Sequence, residues 1–215
     1  MERKSNKLII SIVVLIFFDA VGLVGYTFVP LGTLFMLLTP YYILLSAAFV
    51  FFHEMKFTLY NVLYLSAIFF AGLAVEYLGV STGVLFGQYY YGNTLGIKLL
   101  DVPVVMGINW VLLIYCTHIC IQNTFIKHSI IKACVGASIL TLLDFFIEPN
   151  AILYDYWHWS GNNVPFYNYF CWFAVSFVFL FCALKLKISF QNNIAIPFLA
   201  MRFVFFILLY IWQQM

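Results

Sequence analysis

The sequence predicts an all-α fold: a polytopic transmembrane bundle of about seven helices in a single integral membrane domain spanning residues 1–215. Three observations predict it. The chain is 65% hydrophobic and only 8% charged. Its mean hydropathy is +1.03. Its apolar residues fall in runs near the ~20 residues that a bilayer-spanning helix needs.

The runs lie at about 8–29, 31–52, 58–79, 103–122, 129–148, 168–187 and 194–213. The first follows Met-Glu-Arg-Lys-Ser-Asn-Lys and resembles a signal peptide in outline. It ends without a small-x-small cleavage site, so a retained helix is expected. The second is the weakest, because Pro40 interrupts it, which leaves six helices as the alternative count. Arg3, Lys4, Lys7, Lys56, Lys127, Lys132, Lys185 and Lys187 fall on one side of a seven-span topology and Lys98 alone falls in a loop on the other. By the positive-inside rule the N-terminus is expected to be cytoplasmic, and a multi-pass protein of the plasma (inner) membrane is expected. The ten Lys and Arg form no patch, so no nucleic-acid partner is expected.

The five cysteines, Cys116, Cys120, Cys134, Cys171 and Cys182, all sit in apolar runs without a CxxC, and read as buried thiols. The four histidines are scattered and form no HxxxH, so no metal site is expected.

In so apolar a chain each carboxylate asks for a reason, since an ionisable group at membrane depth is costly and tends to be functional. Glu76 ends the third span. Asp144 and Glu148 end the fifth, four residues apart and so on one helix face, with Asp144 roughly 6 Å deeper. All three converge on the outer end of the bundle with two loops, about 80–102 and 149–167, rich in Gly, Asn, Tyr and Trp.

Three blocks, in a core of about 70–175, carry the pattern. The first runs from Glu76 through Gly79, Gly83, Phe86-Gly87, Tyr89-Tyr90-Tyr91 and Gly92 to Val102-Pro103 and Asn109-Trp110. The glycine spacing allows a close helix contact; a re-entrant loop in the bundle mouth accounts in addition for the tyrosines, Thr82 and Gln88. The second is Asp144-x-x-x-Glu148-Pro149, in which Pro149 should stop the helix. The plain alternative for Glu148 is a carboxylate reaching out to the interface. The third is Tyr156-Trp157-His158-Trp159 followed by Val164-Pro165, Asn168 and Trp172, for which an interfacial aromatic belt is the competing reading. His158 is a lesser candidate for catalysis. Asp19 and Arg202 lie at membrane depth in the first and last spans, where they can form a buried pair. His118 reads as a core residue.

These blocks, in this order, resemble the membrane-integral carotenoid 1,2-hydratases, a family that includes the bisanhydrobacterioruberin hydratases and is often labelled carotenoid biosynthesis protein. One position departs from the pattern: the family usually has Asp-Pro where this chain has Glu148-Pro149, so the acid is one methylene longer. The resemblance implies addition of water to the terminal carbon–carbon double bond of an acyclic carotenoid end group, giving a tertiary alcohol without a redox cofactor or metal. It implies a long polyene substrate reached from membrane lipid, and leaves room for association with other carotenoid enzymes.

The residues suit that chemistry in their own right. Hydrating a trisubstituted alkene needs an acid, a stabilised tertiary cation and a delivered water. Burial favours the neutral, proton-donating form of a carboxyl group, and a second carboxylate can take the proton of the water. Asp144, the deepest, is the expected donor; Glu148 or Glu76 handles the water. Tyr89, Tyr91, Trp157 and Trp159 offer aromatic faces to a cation, and Asn109, Trp110, Asn168 and Trp172 complete the expected substrate-binding set. Two other functions use the same acids. A lycopene-type membrane cyclase would let an internal double bond capture the cation. A proton-coupled transporter of a lipophilic solute would use them as a relay, and predicts two similar halves with broken helices, of which the sequence shows no repeat.

Overall fold

The computed structural model describes residues 2–28, 31–161 and 163–215, with side chains from residue 6 onward. The side chains of Arg3 and Lys4, and Val29 at the end of the predicted first span, lie outside the described residues. Among the described residues, seven helices are long and apolar enough to cross a membrane. They are α1 (Glu2–Thr27), α2 (Gly32–Phe52), α3 (Leu59–Thr82), α4 (Val105–Gln122), α5 (Ser129–Leu153), α6 (Phe166–Lys185) and α7 (Ala195–Gln214). Among the described residues, four short strands sit between them: β1 (Tyr89–Tyr91), β2 (Lys98–Leu99), β3 (Val102–Pro103) and β4 (Trp157–Trp159).

The helix α4 is the axis of the bundle. It packs against α2, α3, α5, α6 and α7 and is buried along most of its length, so it is apolar all round. Small residues let its neighbours approach. Gly72 on α3 lies against Trp110 and Gly107 on α4 lies against Phe69. Gly79, Gly83 and Gly87 do not form such a stripe, because α3 ends at Thr82. Gly83, at φ 65°, is the left-handed cap, its N–H donating to the carbonyl of Gly79.

Two prolines expected to break helices do not. Pro40 lies inside a continuous α2, and Pro149 lies inside α5, which runs on to Leu153. Beyond Pro149 the side chain of Asn150 donates to the carbonyl of Phe146 at 2.7 Å, adding a bond across the turn that the proline weakens. The cysteines are free thiols, but only Cys116 and Cys171 are buried and Cys182 is exposed. An apolar run in a bundle of this kind faces either protein or lipid, and hydropathy does not distinguish the two.

The connections alternate between the ends. The α2–α3, α4–α5 and α6–α7 connections share one end, where the Glu54 carboxylate accepts from the Gln191 N–H at 2.9 Å and the Asn192 side chain donates to the Val50 carbonyl at 2.6 Å. The other end, hereafter the loop face, carries all four strands. Between α3 and α4 the sequence predicts a re-entrant loop. The structure instead has β1 paired antiparallel with β4, the register being Tyr89 with Trp159, Tyr90 with His158 and Tyr91 with Trp157. The pairing satisfies backbone groups that a coil at this depth would leave open. It also turns alternate side chains one way, so Tyr89, Tyr91, Trp157 and Trp159 all point into the bundle.

Candidate active site

The β1–β4 ribbon is clamped to the helix ends by one close approach. A Cβ at Gly92 would stand 2.1 Å from the carbonyl oxygen of Asp155; the glycine N–H donates to the Tyr156 carbonyl at 2.9 Å. Asp155, itself at φ 56°, accepts from the Asn93 N–H at 2.9 Å and pairs with His158 at 2.7 Å. Partial burial pushes the Asp155 carboxyl up, but its bonds to His158 and Asn93 outweigh that and hold it below its ordinary value. His158 is therefore on the outer side of the ribbon, beside Tyr90, and apart from the acids.

The inner side of the ribbon meets the three acids, each at most 3% exposed. Glu76 lies six residues before the end of α3 rather than at it. Its Oε2 accepts from the hydroxyls of Tyr89 at 2.6 Å and Tyr91 at 2.7 Å, and its Oε1 accepts from Trp110 Nε1 at 2.8 Å. Burial, then the neighbouring Glu76 charge, pushes both tyrosine hydroxyls far up, so they remain donors. Glu148 is treated alike. Its Oε2 accepts from Trp157 Nε1 at 3.0 Å and Trp159 Nε1 at 2.8 Å, and its Oε1 from Asn168 Nδ2 at 2.9 Å. Glu148 is thus held inside and does not reach for the interface.

Asp144 differs. Its Oδ2 accepts from the same Asn168 Nδ2 at 2.9 Å, while its Oδ1, fully buried, has no hydrogen-bond partner among the described residues. Of the six carboxylate oxygens in the three acids it is the one left open.

Two cavities adjoin the acids. The larger, about 480 Å³, lies between α1, α2, α4, α5 and α7 and is walled mostly by apolar side chains. Asp144 and Asn109 line it. The smaller, about 20 Å³, is lined by Glu76, Glu148, Asn168, Tyr89 and Tyr91 among others; a cavity of ~10–15 Å³ or more with several polar partners has room for one water. Met106, Trp157 and Trp172 line both and form the wall between them. Trp172 is fixed there by stacking on Trp110, with ring centroids 4.4 Å apart.

The structure therefore brings together Glu76, Tyr89, Tyr91, Trp110, Asp144, Glu148, Trp157, Trp159, Asn168 and Trp172, and sets Asn109 on the larger cavity alone. The aromatic belt is not the role of Trp157 and Trp159, whose indole N–H groups are spent on Glu148. Sequence reading missed a hydroxyl cluster on the larger cavity. Tyr26 bonds to Tyr156 at 2.6 Å, and Thr39 lies 3.1 Å from Tyr156. Its sequence signal is slight: polar hydroxyls spaced within otherwise apolar helices. His118 is a core residue as expected, its Nε2 bonded to the Ile188 carbonyl at 2.9 Å.

The chain matches a protein family described as carotenoid biosynthesis protein over residues 38–214. No curated protein and no solved structure matches it.

Proposed function

Since the chain belongs to the carotenoid biosynthesis protein family, a role in carotenoid biosynthesis is the premise, and we propose that the reaction is hydration of an acyclic carotenoid end group to a tertiary alcohol. The observation that carries this reading is the unpartnered Oδ1 of Asp144, a residue that lines a largely apolar cavity, beside a water-sized cavity between Glu76 and Glu148.

An ionised carboxylate is an acceptor only, and a protonated one has a single O–H to give. Asp144 already accepts on Oδ2, so its proton belongs on Oδ1, the oxygen that has no protein partner. With the terminal double bond lying against it, Asp144 transfers that proton to the less substituted alkene carbon. The alkene electron pair forms the new C–H bond, and the other carbon becomes a tertiary cation. Trp157 and Trp172, in the wall between the cavities, present ring faces to that charge without forming a bond to it.

The water in the smaller cavity then adds through an oxygen lone pair. Glu148 takes its released proton on Oε1, which accepts only one protein hydrogen bond and has a lone pair to spare. Glu76, held by three donors on the other side, orients the water. One water is consumed, one C–H and one C–O bond form, and no electron leaves the system. Proton return from Glu148 to Asp144 resets the pair, both being hydrogen-bonded to Asn168. The lysine distribution supports an orientation with the loop face outside, in what we propose is the plasma membrane.

The test is expression in cells that make an acyclic carotenoid, with pigments analysed by mass. A gain of one water per modified end group, on an acyclic skeleton, is expected. A ringed isomer of unchanged mass would replace hydration by cyclisation, and unchanged pigment would remove hydration of that end group.

A further inference from the structure

The larger cavity is not sealed, and its lining shows where it opens. Most of the lining side chains are buried or half-buried. Among the described residues that line it, four are exposed, at 37% to 67%: Phe18 and Val21 on α1, and Leu38 and Tyr41 on α2. The walls supplied by α4, α5 and α7 have no exposed residue. The opening therefore lies at the seam between α1 and α2. Both helices are long and apolar enough to cross a membrane, and the four residues lie well inside them, so the opening faces lipid rather than water.

The seam is pinned on either side of that opening. Toward the loop face the helices touch: a Cβ at Gly25 would stand 2.3 Å from the Phe35 ring, and the Tyr26 hydroxyl bonds to that of Thr39. Deeper in, the Tyr42 hydroxyl on α2 donates to Asp19 Oδ1 on α1 at 2.6 Å. Arg202 Nη2 on α7 donates to both, and completes the buried pair expected of Asp19 and Arg202. Between these pins stands Gly22, which lines the cavity and has no side chain to close the seam. Phe18, Tyr41 and Asp144 stand the same number of residues from the loop-face ends of α1, α2 and α5, which sets the opening at about the depth of Asp144.

The lining runs from Phe35 to Ser46 on α2, about 16 Å of helix at ~1.5 Å per residue. A carotenoid-length polyene is a stiff conjugated rod longer than that. With its end group at Asp144, the rest of the chain has to pass out through a wall. We propose that the α1–α2 seam, between Phe18 and Val21 on one side and Leu38 and Tyr41 on the other, is a lateral portal through which a long polyene chain runs from the cavity into lipid. Phe18, Val21 and Leu38 carry no hydrogen-bonding side-chain group, which suits a hydrocarbon chain that could not satisfy one. The inference rests on the reading that the larger cavity is the substrate site, but not on the hydration chemistry.

The test uses the full chain in detergent, captured after mixing with a probe, and the bound probe is measured by mass. One probe is a long acyclic polyene. The other is a short acyclic isoprenoid with the same end group, small enough to lie wholly inside the cavity. Leu38→Trp narrows the seam from α2 and Val21→Trp from α1. Each is expected to weaken binding of the long polyene about tenfold, the scale of one overpacked side chain, and to leave the short probe within about twofold of wild type. Leu44→Trp, on the same helix and similarly exposed but off the cavity, is expected to bind both probes as wild type does. If one portal variant fails to fold, the other decides. Wild-type affinity for the long polyene in a folded portal variant would overturn the portal and leave the seam to lipid acyl chains. Equal weakening of both probes would overturn it too, since the added ring would then be blocking the cavity itself. The expected pattern in a protein that hydrates nothing would defeat the proposed function and leave the portal standing; hydration with no loss of the long polyene in Leu38→Trp would do the reverse.

Discussion

Asp144 and Glu148 stand one turn apart on α5 and accept hydrogen bonds from the same nitrogen, Asn168 Nδ2, at 2.9 Å each. One amide on α6 thus holds two carboxyl groups side by side where the two helices pack. It leaves them unequal: Glu148 has two further donors, and Asp144 has none. Paired acids divide their roles when their surroundings differ, and here the difference lies in the count of donors.

Replacing Asp144 by Asn tests that division. The amide keeps the shape and removes the transferable proton, so hydration in membranes should fall by about 10²–10⁴-fold, the usual contribution of a general acid. Quenching of tryptophan fluorescence by the polyene should show the cavity still occupied. Near-normal turnover would move the proton donor to another residue.

Gly79 offers a test of the tyrosine cradle. A Cβ there would stand 2.6 Å from the Tyr89 hydroxyl, pushing it off Glu76 and leaving a buried acceptor short of one donor. Gly79→Ala should cost about 1–3 kcal/mol of stability, read as a lower midpoint in thermal melts of the detergent-solubilised protein. A Cβ at Gly161 meets nothing within 4 Å. Gly161→Ala should melt like wild type, and equal melting of both variants would mean that Tyr89 is free to move aside.

The Asp155 clip should loosen in acid. Its folded carboxyl titrates below the ordinary value of 3.8. Such a group stabilises the fold at and above that value and loses its contribution as pH falls through the lower, folded value. At neutral pH the clip is therefore complete. Exchange of the Asn93 amide, corrected for the intrinsic pH effect, should quicken below pH 3.8 in wild type. In Asp155→Asn it should be fast throughout and should not respond to that change. Equal protection in both proteins would show that the ribbon holds without the carboxylate.

Much of this architecture was legible in the residues. All seven spans were, because a run of apolar side chains long enough to cross a bilayer leaves few alternatives. Pro40 and Pro149 read as breaks because each lacks an N–H to donate along the helix, yet both helices are continuous in the packed bundle. The buried thiols were half right for a related reason: Cys182 sits in as apolar a run as Cys116, but on the outer surface of α6.

The sequence by itself determined the membrane bundle, the presence of Glu76, Asp144 and Glu148 toward one end of it, and most of the aromatic and amide groups around them. These follow from local composition and helical spacing, which act over a few residues. Only the tertiary structure decided which donors reach which oxygen. Tyr89 meets Glu76 because β1 is held against β4, and Trp110 meets the same carboxylate from a different helix. Asp19 and Arg202 are joined across nearly the whole chain. Such contacts depend on packing between distant segments, so the feature on which the chemistry turns, one unpartnered oxygen of Asp144, exists only once the helices and the ribbon are assembled.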